Sequence, residues 1–130
     1  MYKKTYFFRK DRLLKRINLD EIIYLEASKN YTKLYTEDET FHLARITLLE
    51  AMKLLPENKF FRVHRSFAVA ADHIDVMGRD NVRLATTPVV EVPVSKMYYV
   101  AIKKQFVILD SADIYTGKKK RIVNARDRRE

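Results

Sequence analysis

The sequence has no cysteine and no tryptophan, and only two of its 130 residues are glycine. Without cysteine there can be no disulfide and no thiolate metal site. With Gly78 and Gly117 alone, the chain has no glycine-rich loop of the kind that binds phosphates. It has no apolar run of the roughly 20 residues that span a bilayer, and no apolar segment after its charged start to suggest a secretory signal. We therefore expect a cytoplasmic protein without membrane contact.

Residues that could serve an enzyme are sparse. The three histidines, His42, His64 and His73, do not have the spacing of a helical zinc site. His64 and Ser66 would share one face of a strand, but a nucleophile and its base also need an orienting acid and an oxyanion site. The acidic triplet Glu37–Glu39 is interpreted as a solvated turn. The sequence thus predicts no enzymatic activity, no metal, no cofactor and no small-molecule substrate.

Positive charge is concentrated at the two ends of the chain. The net charge is +9, of which residues 1–16 carry +6 and residues 117–130 carry +5, whereas the residues between them carry −2. Two interpretations are open: the ends are solubilising tails, or they contact nucleic acid. Residues 117–130 include the run Lys118–Arg121 and are predicted to be a flexible basic tail. Residues 1–116 are predicted to form one domain.

Short β-like runs separated by turn-forming residues dominate the first 116 residues. The turns are predicted at the charged segment Arg9–Asp11, the triplet Glu37–Glu39, and the segments Gly78–Asn81 and Thr86–Pro88. The predicted strands are Tyr6–Phe8, Leu13–Ile17, Ile22–Glu26, Tyr31–Thr36, Phe41–Ala44, Phe60–His64, Phe67–Val69, Ile74–Met77, Val82–Leu84 and Val89–Val92.

One segment breaks the β pattern. Thr47 and Glu50 have the spacing of a capping box, in which each side chain binds a free main-chain N–H at the start of a helix. The apolar residues that follow at helical spacing are Leu48, Leu49, Met52 and Leu55. Pro56 ends this helix, and Ser95 is a suitable N-cap for a second one. The expected fold class is mainly β, with one or two short helices.

The octet Phe60-Phe61-Arg62-Val63-His64-Arg65-Ser66-Phe67 combines an apolar strand with four polar side chains. Polar and charged groups are costly to bury without partners. These side chains must therefore face solvent, a partner or a hydrogen-bond network. The octet alone leaves these possibilities open.

Four motifs, taken in order, resemble the LytTR-type DNA-binding domain of bacterial response regulators. The segment Ile22–Ala27 followed by Asn30-Tyr31 resembles the family's "I-x-Y-I-E-A…N-Y". The segment Thr47–Pro56 resembles "S-L-K-E-L…L-P", and Val92–Tyr98 resembles "I-P-V-S-R-x-Y". The octet resembles "F-x-R-V-H-R-S-Y", the most specific of the four. The resemblance covers about residues 6–108.

The resemblance implies an elongated stack of small antiparallel β-sheets with a short helix. Loops and strand ends of this fold enter two successive major grooves of double-stranded DNA. It also implies a transcription regulator that reads direct repeats in promoters, with a second copy of the chain on the adjacent repeat. Such a protein acts by occupying its site, without a chemical step.

Carried over onto the matching positions, the resemblance assigns two sets of contacts. Arginine and lysine donate to guanine O6 and N7, and threonine offers a hydroxyl and a methyl group. The implied base-reading residues are Thr32, Arg65 and Lys96. The implied contacts to the DNA backbone are Lys29, Asn30, Tyr31, His64, Ser66 and Ser95.

The sequence departs from the family pattern at three points. The octet continues as Phe67-Ala68-Val69-Ala70 where the family has "Y-x-V-N". Lys96 stands where arginine is frequent, and lysine lacks the planar fork that discriminates bases. No segment is long enough for the receiver domain that such modules usually follow.

An alternative function is a β-rich protein–protein or RNA-binding module that uses its basic ends. For RNA, the candidate residues are tyrosines that stack on unpaired bases. The competing interpretation of these tyrosines is ordinary packing. They are Tyr31, Tyr35, Tyr98 and Tyr99.

Overall fold

A computed structural model describes residues 4–110 of the chain. The predicted tail and the predicted end of the domain at residue 116 lie outside the described residues. Residues 4–110 form ten β-strands and two α-helices. The strands are β1 (Tyr6–Lys10), β2 (Leu13–Ile17), β3 (Ile22–Ser28), β4 (Tyr31–Thr36), β5 (Phe41–Ala44), β6 (Phe60–His64), β7 (Phe67–Ala70), β8 (Ile74–Met77), β9 (Asn81–Leu84) and β10 (Val90–Pro93). The helices are α1 (Leu48–Leu54) and α2 (Lys96–Lys103).

Three antiparallel sheets are present in this part of the chain. The central sheet has the strand order β5-β4-β3-β7-β6, and it lies between the hairpin β1-β2 and the sheet β10-β9-β8. The expectation of a mainly β fold of small antiparallel sheets with short helices is thus confirmed.

The central sheet buries both faces along β6 and β7 because neighbouring side chains alternate between its faces. Phe60 and Ala68 belong to a core formed with α1 and the β1-β2 hairpin. Phe61 and Val69 belong to a second core formed with β9, β10 and α2. Strands β6 and β7 therefore connect the two cores and leave little freedom for the turn that joins them.

The first hairpin differs from its prediction. The charged segment Arg9–Asp11 is not the turn, because β1 continues to Lys10 and pairs with Leu13. The turn consists of Asp11 and Arg12, which have φ angles of 52° and 67°. Two successive residues with positive φ suit the right-handed twist of a two-residue hairpin. The charge pattern located the hairpin and one of its two turn residues, Asp11, but not Arg12.

Helix α1 begins at the predicted capping box. Thr47 Oγ1 accepts from the Glu50 N–H at 3.2 Å, and Glu50 Oε1 accepts from the Thr47 N–H at 3.0 Å. Leu48 is 3% exposed and Ala51 is also buried, whereas Leu49 is 58% exposed. Leu49 is apolar and belongs to the helical spacing pattern, but it does not face the core. Neither α1 nor α2, the helices of the described residues, has the length and apolar character needed to cross a membrane.

Candidate nucleic-acid interface

The β3–β4 turn presents Lys29 and Asn30 at one end of the central sheet. Ser28 pairs with Tyr31, so the turn has two residues, and both are exposed. Lys29 has a φ of 58°, which is a left-handed conformation. This conformation is energetically unfavourable for residues other than glycine. Within residues 4–110 the Lys29 ammonium has no acidic partner. The cation is thus available to a ligand.

Thr32 does not fit the base-reading role assigned to it. The residue is 0% exposed, and its Oγ1 donates to the main-chain oxygen of Ile46 at 2.9 Å. A buried hydroxyl that is already bonded cannot reach a base edge in this arrangement, so we correct that assignment. The side chain of its neighbour Tyr31 is 36% exposed. The exposed groups of this turn are therefore Lys29, Asn30 and Tyr31.

The β6–β7 turn holds Arg65 and Ser66 between the paired residues His64 and Phe67. Arg65 is exposed, and its guanidinium makes no hydrogen bond or ion pair within the described part of the chain. His64 Nδ1 accepts from the Ser66 main-chain N–H at 3.0 Å. In the neutral ring the hydrogen is then on Nε2, which leaves a donor for an outside acceptor. Because this bond uses the Ser66 main chain, it does not activate the hydroxyl as a nucleophile.

Arg62 fixes the shape of this turn from the strand before it. Its Nε donates to the His64 main-chain oxygen at 3.1 Å and its Nη2 donates to that of Arg65 at 2.6 Å. The same guanidinium lies 5.6 Å from the centre of the Tyr98 ring in α2. Arg62 thus binds the main chain of the turn and also contacts α2. The octet's four polar residues divide accordingly, with Arg62 turned to the protein and Arg65 to solvent.

Helix α2 begins beside the end of β6. The Ser95 N–H donates to the Val63 main-chain oxygen at 2.8 Å. Ser95 occupies the N-cap position but its side chain makes no capping bond, and its Oγ is buried without a partner among residues 4–110. A buried hydroxyl left unpaired is unfavourable by about 1–3 kcal/mol. Lys96 follows it and is exposed.

Main-chain hydrogen bonds bring these three segments to one edge of the molecule. The Ala27 N–H donates to the Ser66 oxygen at 2.8 Å, which joins the end of β3 to the β6–β7 turn. The bond from Ser95 to Val63 joins α2 to the same place. Of the nine site residues predicted from the sequence, all but Thr32 lie exposed or partly exposed here. Residues 45–47 follow β5 at the same end of the sheet, since Thr32 pairs with Ala44. We call the surface formed by these four segments, residues 28–31, 45–47, 64–67 and 95–96, the basic edge.

Arg45 also belongs to the basic edge and was missed by sequence reasoning. Thr32 pairs with Ala44, so the residue after β5 lies beside Tyr31 at the same end of the sheet. Arg45 is exposed and has no hydrogen bond or ion pair in the described region. The hairpin β4-β5 was predicted, and counting its register outward from the Glu37–Glu39 turn would have placed Arg45 here.

The opposite end of the sheet carries several acidic residues, and two of its basic side chains lie beside carboxylates. It carries the Glu37–Glu39 turn, and Lys59 Nζ there lies 2.6 Å from an Asp20 oxygen and 3.7 Å from an Asp72 oxygen. The bond to Asp20 raises the pKa of Lys59 above its ordinary value. His73 Nδ1 is 3.7 Å from a Glu37 oxygen. Folding thus gathers exposed cations of the central segment at the basic edge and places the Glu37–Glu39 turn at the opposite end.

Most of the tyrosines proposed for RNA stacking contact other side chains. Tyr35 stacks on Tyr24 at 4.4 Å, and its hydroxyl donates to Glu26 Oε1 at 3.0 Å. Burial and this hydrogen bond raise the pKa of Tyr35. Arg62 covers the ring of Tyr98, and Lys103 lies 5.0 Å from the ring of Tyr99. These contacts favour the packing interpretation for three of the four tyrosines.

Residues 4–110 contain no candidate metal site. No group of three or more histidine, aspartate or glutamate side chains is placed there to hold an ion. The candidate chemistry of this region is therefore that of cations, hydroxyls and amides at the basic edge.

Comparisons with known proteins agree with the geometry. The family of the LytTr DNA-binding domain matches residues 2–107. The chain is also similar to a solved LytTr DNA-binding domain from a Bacillus cereus protein described as a methyl-accepting/DNA response regulator. That match has 27% sequence identity and a TM-score of 0.63, and it covers 79% of this chain and 96% of the other. No curated protein matches the chain.

Proposed function

Because the chain belongs to the LytTR family of DNA-binding domains, we propose that it is a transcription regulator that recognises a specific promoter sequence with its basic edge. The proposal rests on one observation: the β3–β4 turn, the β6–β7 turn and the start of α2 are held together by main-chain hydrogen bonds. These bonds run from Ala27 to Ser66 and from Ser95 to Val63. Base recognition needs donors that are held in a fixed relative position. The basic edge supplies them on paired strands and at the start of a helix.

The exposed residues divide into two roles. Arg65 and Lys96 donate to guanine O6 and N7 in the major groove. Arg65 has the more fixed position, because its main chain is held by Arg62. The contacts to phosphates come from cations, hydroxyls, amides and the His64 Nε2–H, which are the usual phosphate ligands. These residues are Lys29, Asn30, Tyr31, His64, Ser66 and Ser95.

We further propose that two copies bind adjacent direct repeats and regulate transcription by occupancy, in the cytoplasm of a bacterium. No reacting group is needed in such a function. The exposed cations of the basic edge, which have no acidic partner among residues 4–110, support DNA rather than a neutral protein partner.

The test begins with selection of bound sequences from a random duplex pool. The affinity of Arg65→Ala is then compared on the selected duplex and on an unrelated one. Loss of a donor to a base edge should cost about 1–3 kcal/mol on the selected duplex alone. The ratio between the two affinities should therefore fall. An equal loss on both duplexes would make Arg65 a phosphate contact and contradict its assignment.

Deletion of residues 117–130 is the matched control, because it removes a net +5 from the chain. A charge that only neutralises phosphates contributes to every duplex alike, so the ratio should stay nearly constant while the salt dependence becomes shallower. If this deletion abolished discrimination, sequence recognition would lie outside the basic edge. Binding that does not change between low and moderate salt would favour the protein–protein alternative.

A further inference from the structure

Arg45 lies at the far side of the basic edge from the β6–β7 turn. The strand order β5-β4-β3-β7-β6 separates β5 from β6 by four strand spacings. At about 4.8 Å per spacing, the two strands are roughly 19 Å apart. The major groove is only about 12 Å wide. If the row of strands crosses the groove and Arg65 lies in it, this spacing places Arg45 at the sugar–phosphate rim of the groove.

The main chain at Arg45 is fixed although the residue follows a strand. The buried Thr32 hydroxyl donates to the Ile46 oxygen at 2.9 Å, one residue beyond Arg45. The next residue, Thr47, is held by the capping box of α1. A cation on such an anchored segment loses less freedom on binding than one on a loose loop. Thr32 is thus placed to position Arg45.

The charge environment also favours an anion beside Arg45. The arginine is exposed and has no acidic partner among residues 4–110. Arg83, in contrast, has its Nε 3.9 Å from a Glu91 oxygen. Lys59 is likewise paired with two carboxylates at the acidic end. The unpaired cations near Arg45 are those of the basic edge.

We propose that Arg45 is an additional phosphate contact that extends the DNA footprint beyond the β3–β4 turn, and that Thr32 is its positioning residue. The inference rests on the proposed function of the basic edge. A guanidinium binds phosphate through two parallel hydrogen bonds, a geometry that a fixed main chain favours. The contact adds affinity on all sequences and no base preference.

The first experiment measures the affinity of Arg45→Ala on the selected duplex and an unrelated duplex over a range of salt. Both affinities should fall by the same factor, and the log–log salt slope should become shallower by about 0.9, the value for one phosphate. Arg45→Lys should keep the slope. The matched control is Arg83→Ala, which removes an exposed arginine whose Nε lies 3.9 Å from a Glu91 oxygen, outside the basic edge. This variant should keep the wild-type slope.

The second experiment replaces single phosphates of the selected duplex by neutral methylphosphonates. Replacement of one flanking phosphate should lower the affinity of the wild type. The same replacement should not change the affinity of Arg45→Ala, whereas replacements at the other contacted phosphates should weaken both proteins. A salt slope for Arg45→Ala equal to that of Arg83→Ala would overturn the proposal. A reduced ratio between the two duplexes would make Arg45 a base contact and would also overturn it. If the wild type bound no duplex, the proposed function would fail as well.

The role of Thr32 is tested by Thr32→Val, which removes the hydroxyl but keeps the shape. This change should make the salt slope shallower in the wild type and leave it unchanged in an Arg45→Ala background. Thr32→Ser keeps the hydroxyl and should restore the wild-type slope, which separates lost positioning from general destabilisation. If Thr32→Val changed the salt slope equally in the wild type and in the Arg45→Ala background, Thr32 would not act through Arg45.

Discussion

The Arg62 guanidinium holds the main-chain oxygen of Arg65 at 2.6 Å. Two arginines of one motif therefore have opposite roles: one builds the turn, and the other projects from it. Arg62 also donates to the main-chain oxygen of His64, on the other side of the turn, and it contacts the Tyr98 ring. The geometry of Arg65 is set by a side chain that need not touch DNA.

We expect Arg62→Ala to lower the ratio of specific to random affinity, as Arg65→Ala does, although Arg65 itself is retained. Two turn carbonyls lose their donor, so the free energy of unfolding should fall by about 1–3 kcal/mol. Arg62→Lys should restore part of the stability, but one ammonium does not reproduce a planar fork. Binding to selected and random duplexes, measured well below the melting temperature, checks this. Unchanged discrimination in a folded Arg62→Ala variant would contradict the role.

Lys29→Gly should lower the DNA affinity without lowering the stability of the domain. Glycine adopts a φ of 58° without a steric penalty, so this variant should be equally stable or more stable by about 1 kcal/mol. Its DNA affinity should nevertheless fall because one cation is lost. Lys29→Ala, the control, loses the same charge without relieving the backbone. Thermal melting and duplex titrations of both variants test the prediction; a Lys29→Gly protein less stable than Lys29→Ala would refute it.

Leu48 and Leu49 provide a matched pair of substitutions in α1. Leu48→Ala should destabilise the domain by about 2–5 kcal/mol, because it leaves a cavity in the core. Leu49→Ala removes a side chain that is 58% exposed and should cost less than about 1 kcal/mol. Urea denaturation of the two variants measures the difference. Equal costs would mean that α1 is rotated relative to the sheet.

The capping box predicts an acid-sensitive contribution to stability. The hydrogen bonds with Thr47 hold the pKa of Glu50 below its ordinary value. The stabilisation is therefore complete above the pKa of glutamate in the unfolded chain and disappears as pH falls through the lower folded value. Glu50→Gln keeps an acceptor oxygen but does not titrate. The stability advantage of the wild type over this variant should shrink on acidification, as urea midpoints at several pH values would reveal.

Strand alternation and spacing predicted most of the fold, because hydrophobic burial follows directly from them. The same alternation conflicts with the base-reading role of Thr32. Thr32 shares its face of β4 with the buried Leu34, whereas Tyr31 lies on the other. Motif position alone does not distinguish these faces, so it assigned a base-reading role to a residue on the buried face.

Other features depend on tertiary contacts that no local pattern contains. The orientation of α1 on the sheet decides that Ala51, and not Leu49, is buried. The bonds from Arg62 to the turn depend on a bulge between Arg62 and His64. The sequence indicated that polar groups of the octet needed partners, but the choice of partner required the three-dimensional arrangement.

The central sheet carries exposed cations at the basic edge and the acidic Glu37–Glu39 turn at its other end, so charge is separated along its strands. On the proposed function, this separation turns the basic edge towards the DNA before the two molecules touch. The longest strand, β3, has seven residues and extends about 23 Å. The Debye length at physiological salt is only about 8 Å, so the acidic end is screened once the basic edge is in contact. Orientation thus acts on the rate of encounter, and repulsion from the acidic end does not weaken the complex once it has formed.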